Sequence, residues 1–410
     1  MSIISAQTGL PVRDPIEVLL EHNRDIRAAE LALEAATEKV RSVGVLPDPK
    51  FETATFIEPV ETRNGPMEAQ IMLGQKFPLW GKLHRQRQVA VERAEIAGLN
   101  LEGTQVMAAF QLRRDWEKYR KFTRSLEILD NYRAELESFR NTALSQYSTG
   151  KGLTQHPILK LQIEISLVES QINMMQSNLD GAINSLQSLF DGAFSPELFG
   201  GQRTALPPAD SAEIWLDRAR AGHPMYLMAG RKVRIAELEH ELATRKNYPD
   251  LMAGFTYTAI GDGDPMADNP GGDALGFKVG LNLPLWMGRN KARVRATELM
   301  VNSREESALA VWNGIEDQIR STRKEWAESE ETYTLYNDQL LQESAQMLSS
   351  AFAAYETGKI SFLDVLDSER MVVRVRLQFE AMEAQRRIAG AKLLKDSGLV
   401  RLSEDNENEN

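Results

Sequence analysis

Apolar residues recur along the chain with two different periods. From Leu161 to Leu189 they follow alternating steps of four and three residues, and a similar spacing runs from Phe122 to Phe139. This heptad pattern predicts long helices that pack lengthwise against neighbours. Within 251–283, apolar residues instead alternate with small or polar ones. A period of two predicts strands with one apolar face, as found both in half-buried sheets and in membrane barrels.

The 161–189 helix has a polar side opposite its apolar seam. This side includes Gln162, Glu164, Ser166 and Glu169. A helix with one apolar stripe normally turns its polar face to solvent, so we expect these side chains to lie in water.

The chain contains the same unit twice. Leu46-Pro47-Asp48 corresponds to Tyr248-Pro249-Asp250, and Tyr147-Ser148-Thr149-Gly150 corresponds to Tyr355-Glu356-Thr357-Gly358. Between them, Phe77-Pro78-Leu79-Trp80-Gly81-Lys82 corresponds to Leu283-Pro284-Leu285-Trp286-Met287-Gly288-Arg289. Because the copies are roughly 200 residues apart, they indicate a duplicated domain-sized unit and not an array of short repeats.

Each copy is predicted to run helix, two strands, very long helix, turn and return helix, so the fold class is mainly α with a small β part. The first repeat, 1–209, comprises a helix at 15–43, a β-hairpin at about 50–77, a long helix at 81–146, a return helix at 153–190 and a linker at 191–209. The second repeat, 210–398, comprises a helix at 210–246, a β-hairpin at about 251–283, a long helix at 288–354 and a return helix at 362–398. The acidic segment 399–410 is predicted to be disordered. A polar loop holding Pro59, Asn64, Gly65 and Pro66 is predicted between the first two strands.

The predicted helix lengths constrain the assembly. At about 1.5 Å per residue each long helix spans roughly 100 Å, and the two shorter helices of each repeat together span about the same length. One chain thus provides four helical rows and four strands, whereas a closed barrel needs about eight strands. Three copies would supply twelve strands for a membrane barrel and twelve rows for a coaxial helical barrel.

Composition argues against several classes of function. The net charge of −11 is unfavourable for a nucleic-acid partner, since phosphate binding requires clustered Lys and Arg. The absence of cysteine removes disulfides and thiolate metal sites. The five histidines show no spacing typical of metal ligands, and no catalytic or nucleotide-binding motif is found. The N-terminus lacks the pattern of a signal peptide, so the chain is either cytosolic or a mature chain whose export signal was removed.

The duplicated Pro-Leu-Trp-(x)-Gly-basic junctions, the Tyr-x-Thr-Gly turns and the order of elements resemble those of the TolC-like outer-membrane efflux factors of Gram-negative bacteria. The resemblance covers about 15–398. It implies a homotrimer in which a twelve-stranded outer-membrane β-barrel continues into a periplasmic α-helical barrel of twelve rows. It also implies a passive channel without enzymatic activity, cofactor or resident metal. The implied partners are further copies of the chain, outer-membrane lipid, a periplasmic adaptor (membrane fusion) protein and an inner-membrane transporter.

The resemblance also assigns functional residues. A periplasmic gate is implied at Asp364, Asp367 and Tyr355, although both aspartates would equally suit the first turn of a helix. The tips that receive the adaptor are implied at Thr149, Gly150, Lys151, Thr357, Gly358 and Lys359. Junctions between the β-barrel and the helices are implied at Pro78, Trp80, Gly81, Pro284, Trp286 and Gly288, where aromatic residues meet the membrane surface.

This chain departs from the family pattern around the gate. Ile360 stands where some members carry a basic residue that helps Tyr355 hold the tip closed, and Gln155-His156 replaces a polar-acidic pair. A lock of that chemistry is therefore not expected here. His156 is either a pH-sensitive partner of the gate or an ordinary surface residue.

Alternative functions remain open at this stage. A soluble coiled-coil scaffold would explain the helices but not the alternating strands, and a helical enzyme would need a site that no motif supplies. The channel of a type I protein secretion system would share the same architecture. Within the efflux family, Pro-Leu-Trp-Gly-Lys is closest to the branch that serves heavy-metal resistance-nodulation-division pumps.

Overall fold

The chain is mainly helical with one small antiparallel sheet, which confirms the predicted fold class. The computed structural model describes residues 14–148, 155–192, 194, 206–263, 265–266 and 271–400. The helices are α1 Pro15–His22, α2 Arg24–Ser42, α3 Lys82–Ser148, α4 Gln155–Leu189, α5 Ala212–Gly222, α6 Pro224–Arg245, α7 Met287–Leu335, α8 Leu341–Glu356 and α9 Phe362–Asp396. The strands are β1 Lys50–Thr62, β2 Gly65–Phe77, β3 Leu251–Ile260 and β4 Ala274–Leu281.

The chain divides into two compact units, and each unit takes segments from both predicted repeats. Unit 1 comprises Met1–Ala29, Leu101–Tyr226 and Trp312–Asn410. Unit 2 comprises Glu30–Asn100 and Leu227–Val311, and it contains the whole sheet. The boundary between the sequence repeats at 209–210 stays a prediction. Most of the predicted linker and nearly all of the predicted acidic tail lie outside the described residues.

The first helix of each repeat is broken, which corrects the predictions of single helices at 15–43 and 210–246. Asn23 is extended between α1 and α2, and its Oδ1 accepts hydrogen bonds from the backbone N–H groups of Asp25 and Ile26 at 3.0 and 3.1 Å. Such bonds cap the start of a helix. His223 is extended between α5 and α6 because it precedes Pro224, which occupies the first position of α6.

The first hairpin spans the predicted range, but its strands are longer than predicted and the predicted polar loop is wrong. Its strands continue through Pro59, Gly65 and Pro66, so only Arg63 and Asn64 separate them. The pairing of β1 with β2 shifts between Thr55 and Val60, which accommodates Pro59. Proline lacks an N–H donor and is tolerated at such an irregularity, particularly in an edge strand.

The second long helix, predicted at 288–354, is helical from Met287 to Glu356 but contains one irregular turn. A π-helical turn, Tyr336–Leu340, lies between α7 and α8. Such a turn accommodates an extra residue without ending the helix.

Two apolar clusters lie within the core of unit 1. One contains Trp116 of α3 and Phe190, together with residues of α1, α2 and α4. The other joins α3, α4 and α9 around Leu136, Leu161 and Leu366. Across the described residues, no helix combines the length and apolar composition needed to span a membrane.

Candidate functional site

The turn between α8 and α9 is held by hydrogen bonds at both of its ends. Gly358 has a φ of +73°, a conformation that glycine adopts without strain. Its N–H donates to the carbonyl of Tyr355 at 2.9 Å, and the N–H of Lys359 donates to that of Ala354 at 2.9 Å. This is the Schellman pattern that ends a helix. Thr357 donates from Oγ1 to the Ala354 carbonyl at 3.0 Å, so the predicted tip residues Thr357, Gly358 and Lys359 form one ordered turn.

The two predicted gate aspartates have different surroundings. Asp364 accepts hydrogen bonds at Oδ2 from the backbone N–H of Ser361 at 2.8 Å and from its Oγ at 2.7 Å. The hydrogen bond from the Ser361 side chain is the larger cause and the backbone hydrogen bond the second. Together they hold the pKa of Asp364 below its ordinary value. Asp364 therefore caps the first turn of α9, as the alternative interpretation of the sequence held for both aspartates.

Asp367 lies one turn further along α9 and takes no part in the cap. Its Oδ1 is 3.3 Å from Nζ of Lys160 on α4 and 3.4 Å from Nη1 of Arg370. Its side chain is 55% exposed, so its charge remains accessible from solvent. Of the two aspartates, Asp367 is the one that links α9 to α4.

Tyr355 makes an apolar contact. Its ring meets the ring of Phe362 at a centroid distance of 6.0 Å, and Phe362 meets Phe139 of α3 at 5.6 Å. These contacts place Tyr355 at the margin of the cluster that joins α3, α4 and α9.

A buried ion pair lies beside the aspartates, and sequence reasoning missed it. Arg370 donates from Nε to Oε1 of Glu164 at 3.0 Å, and its second guanidinium nitrogen also contacts Glu164. The Tyr132 hydroxyl of α3 donates to the same carboxylate at 3.3 Å. The Glu164 side chain is only 8% exposed, which corrects the prediction that it faces water. The missed signal was its place directly beside the heptad seam, where interhelical ion pairs form.

Two carboxyl groups also meet between α3 and α9. Glu369 is buried and hydrogen-bonds to Glu135 of α3. Burial, followed by this hydrogen bond and the negative charge of Glu135, raises the pKa of Glu369 to about 7. Glu369 therefore keeps its proton to a higher pH than an exposed glutamate does.

Of the first predicted tip, the structure describes only the flanking residues. Thr149, Gly150 and Lys151 lie outside the described residues. Gln155 begins α4, and His156 beside it is exposed.

In unit 2, the sheet has one apolar face and one polar face. The order is β1-β2-β3-β4, all antiparallel. Phe51, Leu73, Phe255 and Phe277 form a straight row across the four strands, and all four are exposed. The next row on the opposite face is Glu52, Met72, Thr256 and Gly276.

The predicted junction at Pro78, Trp80 and Gly81 contacts the start of the second hairpin. Trp80 donates from Nε1 to the Pro249 carbonyl at 3.1 Å, and its ring packs on Tyr248 at 5.2 Å. Both Trp80 and Gly81 have positive φ, which turns the chain sharply from β2 into α3.

A buried lysine completes this junction. Nζ of Lys82 is 2.6 Å from Oδ1 of Asp250 and donates to the Tyr248 carbonyl at 2.7 Å. Lys76 pairs with the other oxygen of Asp250 at 3.0 Å. Burial alone would raise the pKa of Asp250, but its hydrogen bonds with the two lysines outweigh it and lower that pKa.

The second junction, at Pro284, Trp286 and Gly288, has no equivalent contacts in the described chain. Trp286 is 70% exposed, and Leu285 and Met287 beside it are exposed as well. The two junctions of one chain, although similar in sequence, thus differ in their surroundings.

The family model of outer membrane efflux proteins matches residues 16–191 and 215–398. The chain belongs to this family. It is therefore an outer-membrane efflux channel protein, and its function is transport and not catalysis.

Solved channels share the fold of this efflux protein. The CmeC outer membrane channel of Campylobacter jejuni matches with a TM-score of 0.75 and 14% identity, covering 93% of this chain and 84% of that one. The open state of the Neisseria gonorrhoeae MtrE channel matches with a TM-score of 0.75 and 14% identity, covering 94% and 88%. VceC of Vibrio cholerae matches with a TM-score of 0.71 and 17% identity, covering 93% and 95%. Among curated protein sequences, none matches significantly.

We expect Arg370→Ala to weaken the packing of α9 on α3 and α4 in this efflux protein. The change leaves the buried Glu164 carboxylate without its cation, which should lower the free energy of unfolding by about 1–3 kcal/mol. Thermal unfolding in detergent, followed by far-UV circular dichroism, measures the effect. The matched control is Arg133→Ala, which removes an exposed ion pair within α3 and should cost less than about 0.5 kcal/mol. Equal losses in both variants would contradict a special role for Arg370.

We expect Glu369→Gln to stabilise the protein at pH 8. Because the pKa of Glu369 is raised from 4.5 to about 7 in the folded chain, its stabilising contribution is complete below pH 4.5 and is lost as pH rises through 7. Glutamine keeps a hydrogen bond without the charge, so the gain at pH 8 should be about 1 kcal/mol after allowance for solvent screening, with little gain at pH 5. The same unfolding measurement at both pH values tests this. Glu169→Gln, at an exposed position on α4, should change stability equally at the two pH values.

Proposed function

We propose that three copies of the chain form one outer-membrane channel with a twelve-stranded β-barrel and a periplasmic barrel of twelve helical rows. The observation that carries this proposal is the sheet of unit 2. It has only four strands, and β1 and β4 are its edges. Unpaired backbone groups are costly in lipid, so the edges need partners if the sheet enters a membrane.

The two faces of the sheet suit this arrangement. The face with Phe51, Leu73, Phe255 and Phe277 would meet lipid, and the face with Glu52, Thr256, Lys278 and small residues would line water. An isolated soluble sheet that exposed such an apolar row would be prone to association. A soluble coiled-coil scaffold gives no reason for this face.

The tip of the helical part is the proposed docking point for a periplasmic adaptor that connects the channel to an inner-membrane transporter. The ordered turn at Thr357, Gly358 and Lys359 supports this role, since a rigid turn presents its exposed groups without further ordering cost. Asp367 and its copies would supply the charge of the nearby aperture. We expect the pump, and not the channel, to select the substrate. The Pro-Leu-Trp-Gly-Lys sequence at the first junction is most similar to channels that serve heavy-metal pumps, so we propose a pump of that class.

Purification in detergent tests the trimer. We expect light scattering with correction for bound detergent to give three chains per particle, and the protein to precipitate when detergent is removed, because the apolar face of the sheet would then meet water. A stable monomer in detergent-free buffer would contradict the proposed trimeric barrel.

Planar-bilayer recording tests the gate. Asp364→Ala combined with Asp367→Ala should raise single-channel conductance and weaken block by multivalent cations by about tenfold, since several charges leave a narrow passage. Asp367→Ala alone should reproduce most of the weakened block. Ser361→Ala is the matched control, because it removes the hydrogen bond from Oγ to Asp364 but keeps the backbone N–H and both carboxylates. Unchanged block in the double variant would refute a gate at these aspartates.

A further inference from the structure

The contacts between the two repeats inside one chain suggest how neighbouring chains pair. Within the chain, β2 of the first repeat pairs with β3 of the second. By sequence, β4 is the counterpart of β2, and β1 is the counterpart of β3. The two edge strands of the sheet are therefore the same two kinds of strand that already pair at its centre.

We propose that β4 of each chain pairs with β1 of the next in the register used by β2 and β3, and that Arg289 then pairs with the partner's Asp48. This proposal rests on the trimeric channel proposed above. Leu73 and Val279 correspond, because each lies five residues before the proline of its junction. Phe255 and Thr53 correspond, because each lies six residues after the proline that precedes its strand. The observed pair Leu73 with Phe255 thus becomes Val279 with the partner's Thr53.

Charge at the junction supports this pairing. Lys82 and Asp250 form a buried ion pair, and their counterparts in the other repeat are Arg289 and Asp48. The two counterparts have opposite charge and are both exposed, and within the described part of the chain neither makes an ion pair. Lys76 corresponds to Asn282, so the interchain site would have one cation for each carboxylate.

Apolar contacts at the junction support it as well. Trp80 packs on Tyr248, and the counterparts of these residues are Trp286 and Leu46. Trp286 is 70% exposed and Leu46 is 48% exposed in the single chain. The proposed pairing would bring Trp286 onto the partner's Leu46 and cover both.

The register also gives the strands the slope that a closed barrel needs. A path straight across the sheet runs from Phe51 through Leu73 and Phe255 to Phe277. In the proposed register Phe277 faces the partner's Thr55, which lies four residues further along β1 than Phe51, where the path began. A slip of about 13 Å over about 19 Å of sheet width inclines the strands by roughly 35°. Barrel strands tilt by about 35–45°, whereas pairing Phe277 with the partner's Phe51 would give no tilt.

The faces of the strands agree with the same register. Thr53 and Thr55 share a face with Phe51, and Val279 shares a face with Phe277. A shift by one residue would turn the apolar face of one chain towards the polar face of the next.

Disulfide formation between introduced cysteines tests the register, because the natural chain has no cysteine. The full-length protein would carry either Thr53→Cys with Val279→Cys or Ala54→Cys with Lys278→Cys. Adjacent pairs alternate between close and wide spacing, so one of these variants has the geometry for a disulfide. After oxidation, denaturing electrophoresis should show covalent trimers in that variant. The control, Thr53→Cys with Leu275→Cys, places the two cysteines about 13 Å out of register and should give about tenfold less covalent trimer.

A charge exchange tests the ion pair. Asp48→Arg and Arg289→Asp should each lower the temperature at which the trimer dissociates, and the double exchange should recover most of the loss. Covalent trimers from the out-of-register pair alone, or no recovery in the double exchange, would overturn the proposed pairing while leaving the trimer intact. If the unmodified chain is monomeric in detergent, the trimeric channel itself fails.

Discussion

Backbone hydrogen bonding at the edges of the sheet is the constraint on which the rest of this structure depends. Four antiparallel strands satisfy one another only at the centre, and the outward N–H and C=O groups of β1 and β4 are left for a partner. If the sheet lies in a bilayer, as proposed above, no water can serve that purpose and further strands must close it. A duplicated chain suits this solution, because each copy of the unit already contains both kinds of edge.

The two units distribute their charges differently. In unit 2, Lys82 and Asp250 form a buried pair that joins the two repeats where β2 turns into α3. In unit 1, Glu164 and Arg370 join α4 to α9, while Asp367 remains open to solvent beside them. Buried pairs that would be costly to break thus fix the framework, whereas the ion pairs of Asp367 leave its carboxylate accessible to solvent.

Much of the fold could be predicted from the sequence because its signals are long and periodic. The heptad seam from Leu161 to Leu189 and the alternation after Leu251 identify their elements directly. The breaks at Asn23 and His223 were missed because a single capping residue interrupts an otherwise continuous helical pattern. Their signals were nevertheless present in the capping preference of asparagine and in the proline after His223.

The candidate site was less accessible to sequence reasoning. The motif around Asp364 and Asp367 predicts a turn followed by a helix, but it could not assign the capping role to the first aspartate and the interhelical role to the second. Glu164 was assigned to solvent because Arg370, the cation that makes its burial favourable, lies some two hundred residues away in sequence. Pairings of that kind depend on which helices meet, and composition along one helix does not contain that information.

The π-helical turn at Tyr336–Leu340 lies in the longer of the two corresponding segments of the repeats. From Gly288 to Tyr355 the chain advances 67 residues, against 66 from Gly81 to Tyr147. An extra residue in a regular α-helix would rotate everything beyond it by about 100° and turn the tip away from its proper side. The wider turn accommodates one extra residue inside the helix, so a difference of one residue between the repeats does not by itself rotate α8.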